Sequence, residues 1–445
     1  MAAGTLAADQ RPGRLSRTHA AGSARCRGLP TSDSGSRTAR PQPSTEYGSS
    51  AHTDRGPPPM KLVILSAGSI ASGVARILAR SGCYDELVIA DIDLDKAGAL
   101  AYELGGKAEQ FDASDSASIK SVITGADVVF NAVGPFFKYG MPIIRAAIEC
   151  GVNYVDVCDE FDVAEQIIRD SGLDEAAKRA GVTIVFGMGF APGITSLLGR
   201  WAADLLDTAD SVDVMMAIPY MVNMGPTINE HMLHSMSGDV RQFIDGDVRS
   251  VPAWSDPKPF ALQEPFGVCH AGYMGHPEGI TLGRYVPGLR NAAVRFTWFE
   301  EAGNDTWKAF EALGLTNPVR LDGLPMSPRE FLARYMATPE GERALAVEPS
   351  GMPGTVMQIV AEGELGGEPA QVIFEAQVIY ADGVADDPTP RAAAAAVREM
   401  LEGRIVARGV FSPEACIDPE PFVLGVLASA GVTLSKRIVT LTDIL

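Results

Sequence analysis

Met60-Lys61-Leu62-Val63-Ile64-Leu65-Ser66-Ala67-Gly68-Ser69-Ile70-Ala71 is the stretch that decides the fold. Leu62 to Leu65 are four consecutive apolar residues, the pattern of a strand buried on both faces. Small residues then turn the chain, after which Ile70, Val74, Ile77 and Leu78 recur at helical spacing on one face. Strand, small turn and helix in that order open a dinucleotide-binding unit. The turn sits in the slot of a G-x-G-x-x-G fingerprint of which only the middle glycine, Gly68, is kept. That glycine lets the backbone approach a pyrophosphate whose charge rests on the helix N-terminus. Ser66 and Ala71 stand where the outer glycines would be and are still small enough for a tight turn. Ser66, Gly68, Ser69 and Ile70 are therefore candidate cofactor contacts.

Working outward, Leu87 to Ala90 reads as a second strand ending at Asp91. A carboxylate there can accept hydrogen bonds from both adenosine ribose hydroxyls, so NAD is the expected cofactor, with NADP allowed. Asp127 to Asn131 reads as a fourth strand, followed by Asn131-Ala132-Val133-Gly134-Pro135-Phe136. Its position at the carboxyl end of a strand puts Val133, Gly134 and Pro135 on the nicotinamide side, and Asp112 is a further cofactor candidate. Tyr154 to Val157 and Val182 to Phe186 complete the series. Strands alternating with helices give an α/β fold, a doubly wound parallel sheet of Rossmann type.

Beyond Gly187 the texture changes. Val212 to Ile218, Ala293 to Phe299, Thr355 to Glu362 and Gln371 to Tyr380 read as longer strands of an antiparallel sheet. Gly363-Glu364-Leu365-Gly366-Gly367 is a hairpin signal between the last two, and Arg391 to Leu401 reads as an Ala-rich helix. The expected organisation is a dinucleotide-binding domain over 60–190, a second α+β domain for substrate and dimerisation over 191–388, and a segment over 389–445 that packs back on the first domain. Residues 1–59 are rich in Gly, Ala, Ser, Pro and Arg with almost no large aliphatic residues, so they read as a disordered or mis-started extension.

The chain has 445 residues and 46% hydrophobic content, enough for two sizeable cores. A net charge of -19 argues against nucleic acid as a partner, because a phosphate backbone would be repelled. The six cysteines include no CxxC pair, so neither a zinc knuckle nor a redox motif is visible, and scattered single thiols fit a reducing compartment. Without an apolar run long enough to span a bilayer, the expectation is a cytoplasmic homodimer with no membrane partner.

The stretch from Asp127 to Glu160, with Gly134-Pro135-Phe136-Phe137-Lys138-Tyr139-Gly140 and Tyr154-Val155-Asp156, resembles the saccharopine dehydrogenase-like oxidoreductases. Gly189-Phe190-Ala191-Pro192-Gly193 is similar to their interdomain G-x-x-P-G loop. Gly275-His276-Pro277-Glu278, Arg284, Pro287-Gly288 and Asp418-Pro419-Glu420-Pro421-Phe422 resemble the lysine 6-dehydrogenase-like branch. The resemblance implies NAD(P)-dependent chemistry at a carbon–nitrogen bond of an amino acid, lysine 6-dehydrogenase-like oxidative deamination through an imine or saccharopine-type chemistry. Ala191 stands where saccharopine-forming enzymes have an aspartate, which speaks against saccharopine itself. The alternatives are a reductase of another imine, of carboxyspermidine type, or of a carbon–carbon double bond, and a dinucleotide-sensing protein without turnover.

Such chemistry needs a proton carrier close to the carbon that exchanges hydride. Asp156, Lys138, Tyr139 and His276 lie on segments expected near the cleft and are the catalytic candidates, and Arg284 could hold a substrate carboxylate in a bidentate fork. His231 and His234, spaced i,i+3 on a helix, lack a third ligand at readable spacing, so no metal is expected. Cys150 and Cys158 read as packing residues.

Overall fold

The computed structural model describes residues 59–380 and 388–440. The expected extension over 1–59 lies outside the described residues, Pro59 apart. The first sheet is built from β1 (Lys61–Leu65), β2 (Glu86–Asp91), β3 (Lys107–Gln110), β4 (Val128–Asn131), β5 (Asn153–Asp156) and β6 (Thr183–Val185). Between them run α1 (Ser69–Ala79), α2 (Leu94–Leu104), α3 (Ser116–Ile123), α4 (Phe136–Cys150), α5 (Phe161–Arg169) and α6 (Ser171–Ala180). All pairings are parallel, β1 lies between β2 and β4, and both faces are covered. Leu62 and Ile64 face one layer of helices while Val63 and Leu65 face the other, and all four are fully buried. The doubly wound α/β reading is what the chain adopts.

After α7 (Ile194–Asp204) the chain builds a second sheet from β7 (Thr208–Ile218), the hairpin β8 (Asp239–Ile244) and β9 (Asp247–Pro252), β10 (Lys258–Ala261), β11 (Val268–Tyr273), β12 (Asn291–Trp298), β13 (Gly354–Leu365) and β14 (Glu368–Ile379). Helix α8 (Pro226–Ser235) follows β7, and α9 (Glu278–Tyr285) precedes β12. The sheet is mixed rather than antiparallel, because β12 pairs in parallel along its whole length with Ser211–Ile218 of β7. The long crossover that carries α8, four strands and α9 between them permits that direction. The β13–β14 turn is also tighter than expected. Leu365 pairs with Glu368, leaving Gly366 and Gly367 as a two-residue loop, both at positive φ.

The last segment divides. Helix α10 (Glu301–Ala312) and the short α11 (Pro328–Met336) and α12 (Pro339–Leu345) precede β13, and then α13 (Thr389–Leu401) lies along α1. Strand β15 (Gly409–Phe411) adds to β6 at the edge of the first sheet, and α14 (Pro419–Ala430) rests on α7. Strand β16 (Thr433–Thr440) instead pairs with β14 and covers the free edge of the second sheet. Among the described residues no helix is long and apolar enough to cross a membrane.

Candidate functional site

The fingerprint turn is shaped by its own side chains. Ser66 sits at φ 93° and its Oγ accepts from the Gly68 N–H at 3.0 Å. A Cβ on Gly68 would lie 3.3 Å from that Oγ, so this position keeps a glycine. Helix α1 starts without a side-chain cap and with no acid in its first turn, which leaves its first N–H groups and the positive end of its dipole to a ligand. Asp91 closes the turn from β2: its Oδ2 accepts from Ala67 N at 2.6 Å and its Oδ1 from Asp93 N at 2.9 Å.

A cavity of about 530 Å³ opens from this turn across the carboxyl ends of the strands. Ser66, Gly68, Ser69, Ile70, Asp91, Asp112, Val133 and Gly134 all line it, and so does Tyr139. Pro135 does not; it caps α4, its carbonyl accepting from Lys138 N and Tyr139 N at 3.2 Å each. The opposite wall comes from the second domain, Met224 to Ile228 at the start of α8, a contribution invisible to local pattern. A Cβ on Gly134 would touch Thr227 Cγ2 at 3.4 Å, so the two walls meet closely. These groups fit a dinucleotide: a glycine for backbone approach, an uncapped helix start for the pyrophosphate and a carboxylate for the ribose.

Beside this cleft, at the carboxyl end of β5, four segments converge. Ligand atoms of Asp159, Glu160 and His231 all lie within 4.8 Å of one another. His231 Nε2 faces Asp159 Oδ2 at 3.3 Å, while its buried Nδ1 has no hydrogen-bond partner. One turn on, His234 Nε2 faces Asp162 Oδ2 at 3.3 Å, and the His234 ring stacks on Phe161 at 5.1 Å. The carboxylates that sequence spacing could not supply to the histidines thus come from another domain. Glu160 is 2% exposed, and its Oε2 accepts from Phe137 N at 2.5 Å. Burial first, then the neighbouring Asp159 and Asp162, push its carboxyl up to about 8. Such a group favours an added cation.

His276 completes the cluster, its ring 6.2 Å from that of His231. It reaches this position because Gly275 passes α5 without a side chain; a Cβ there would lie 2.5 Å from the Phe161 ring. His276 Nδ1 bonds Glu278, whose other oxygen accepts from the Thr195 hydroxyl, and both charged residues are buried. Burial opposes charge on His276, but the Glu278 carboxylate lifts it above its ordinary value. Burial would raise Glu278 too, yet His276 and Thr195 hold it low. The pair is therefore set as imidazolium and carboxylate.

The other candidates fall elsewhere. Asp156 is wholly buried at the end of β5. Its Oδ1 accepts from Cys158 N at 3.0 Å and Gly187 N at 2.7 Å, and its Oδ2 from the Tyr154 hydroxyl at 2.8 Å. Asn131 Nδ2 donates to that same hydroxyl at 2.8 Å, so Asp156 ends a buried chain tying β4, β5 and the loop after β6. Burial lifts it to about 6 against the pull of those N–H donors. Lys138 is exposed, its Nζ 4.8 Å above the Tyr139 ring. Arg284 is exposed in the last turn of α9, at the opposite end of that helix from His276 and Glu278.

Comparison with known proteins agrees with this geometry. Residues 62–185 match the saccharopine dehydrogenase NADP binding domain. The chain is 24% identical over 390 residues to a carboxyaminopropylagmatine dehydrogenase of Synechocystis, covering 82% of this chain and 94% of that protein. It is 26% identical over 348 residues to a carboxynorspermidine synthase of Vibrio alginolyticus, covering 71% of this chain and 80% of the relative. Saccharopine dehydrogenase (L-Glu forming) of Saccharomyces cerevisiae shares the fold at a TM-score of 0.59 and 16% identity, over 85% of this chain and all of that one. Fold, cofactor cleft and domain match thus agree: residues 62–185 are similar to the saccharopine dehydrogenase NADP binding domain, and the chain as a whole resembles the NAD(P)-dependent oxidoreductases that carry it.

Proposed function

We propose that this protein reduces an imine formed between a carbonyl compound and a primary amine of a cationic di- or polyamine, giving a secondary amine. The observation that carries this reading is the Asp159–Glu160–His231 cluster beside the cofactor cleft, where Glu160 is buried and short of positive charge. An ammonium placed there would be met by Asp159 and by Glu160, which ionises in response, whereas an anionic group would face Asp159 and Asp162 and keep Glu160 protonated. The names of the two relatives, both of carboxylated amines, support the same class. The cofactor supplies hydride to the imine carbon. His276, kept charged by Glu278, is suited to hold a proton for the imine nitrogen, and Thr195 fixes the Glu278 carboxylate behind it. Arg284, remote from this cluster, has no part in the reading.

Oxidative deamination of lysine, expected from the sequence, uses the same kind of site and is separated by assay. Reduced cofactor is followed by absorbance with small aldehydes that carry a carboxylate, paired in turn with agmatine, diamines and ammonia. Turnover with the diamines supports the reading. Turnover only with ammonia, or only as oxidation of free lysine, would sink it.

A further inference from the structure

Although the matching domain family is described as NADP-binding, we infer that this chain selects NAD(H) over NADP(H), and that Asp91 is the determinant. The inference rests on the cleft described above being the dinucleotide site. Among the described residues lining that cleft, the charged side chains are Asp91 and Asp112, and there is no Lys, Arg or His. Hydrogen bonds from Ser114 hold the Asp112 carboxyl below its ordinary range, so it is ionised at neutral pH.

Asp91 is also locked. The N–H groups of Ala67 and Asp93 each fix one of its oxygens, so the carboxylate cannot swing aside to admit a larger group. Each oxygen keeps a further lone pair, and a ribose 2′-hydroxyl is a donor that can use one. A 2′-phosphate offers no such donor at neutral pH and carries close to two negative charges. It would sit against Asp91 with no counter-cation. Bases on the flanking segments have other partners, Lys138 lying 4.8 Å over the Tyr139 ring and facing Asp112. Lys96 lies 3.4 Å from Asp93 and outside the cleft, and Arg76 on α1 is held by both oxygens of Glu103 at 2.7 and 2.8 Å.

Calorimetric titration of the purified full-length protein with NADH and with NADPH tests this without any substrate. NADH should bind at least about tenfold more tightly, the loss of one charge-assisted hydrogen bond being of that order. The gap should narrow as salt screens the phosphate from Asp91. Asp91→Ser should lose NADH affinity and bring the two cofactors together. Because Asp91 also holds the fingerprint turn, a second variant, Ile92→Arg, offers a cation on the exposed rim and should favour NADPH relative to NADH. NADPH binding as tightly as NADH, or more tightly, overturns the inference. Binding of neither dinucleotide would instead overturn the assignment of the cleft on which it rests.

Discussion

Replacing Glu160 with Gln should make folding stability less sensitive to alkali. In the unfolded chain this carboxyl ionises near its ordinary value of 4.5, and in the folded protein only near about 8, because it is buried beside Asp159 and Asp162. Between those values the folded state holds a proton that the unfolded state has lost, so raising the pH through this window removes folded stability. The full rise corresponds to an upper bound of roughly 5 kcal/mol. Between about pH 5.5 and about pH 8 the loss should be roughly 3 kcal/mol. The amide introduced by Glu160→Gln can still accept from Phe137 N and carries no charge, so the variant lacks this loss. Urea unfolding of both proteins at the two pH values measures the difference. If the two stabilities fall in parallel across the window, Glu160 does not sit in the electrostatic trap described for it. The same reasoning reaches function: an ammonium bound there favours the ionised carboxylate and expels a proton. Calorimetry of diamine binding in buffers of different ionisation enthalpy should show proton release by the wild type and less by the variant.

Glu278→Gln should lower kcat about ten- to a hundredfold at neutral pH and move the alkaline limb of the rate profile to lower pH, since His276 loses the anion that keeps it protonated. An unmoved limb would mean that His276 does not hold the reacting proton. Gly275→Ala drives a Cβ to 2.5 Å from Phe161 and 2.9 Å from Val240, so a Tm drop matching about 1–3 kcal/mol is expected together with lost turnover. Tyr154→Phe strands Asn131 Nδ2 and Asp156 Oδ2 inside the core and should cost about 1–3 kcal/mol in denaturant unfolding while leaving the KM for amine unchanged. A changed KM with unchanged stability would return Asp156 to the substrate site.

The lining of the candidate cofactor cleft is legible in sequence because its residues are local. Strand, turn and helix follow one another without a break from Lys61 to Ala79, Asp91 ends the buried apolar run of β2, and Gly134 lies in the turn just after β4. Other parts left weaker marks. Strand β3, Lys107–Gln110, lies at the sheet edge with no fully buried residue, so its sequence carries no apolar period. The β8–β9 hairpin did leave a signal, Asp245-Gly246 between alternating residues, and both adopt positive φ. The Asp159–Glu160–His231 cluster left none. Asp159, His231 and His276 come from segments far apart in the chain, and only packing of α8 and α9 against the end of β5 brings them together. Asp156 misled for a related reason. A carboxylate ending a central strand looks the same in sequence whether it faces the cleft or, as here, a tyrosine and two backbone N–H groups within the core.

The division of the C-terminal strands bears on how the chain is born. Strand β15 finishes the first sheet and β16 finishes the second, so the first sheet is not whole until Phe411 has been made and the second not until Thr440. A nascent chain that stops short of them leaves β6 and β14 as open edges, each a template for pairing with another chain. The first sheet therefore waits for a strand made after the whole of the second domain's β7–β14, which couples completion of the two sheets in folding.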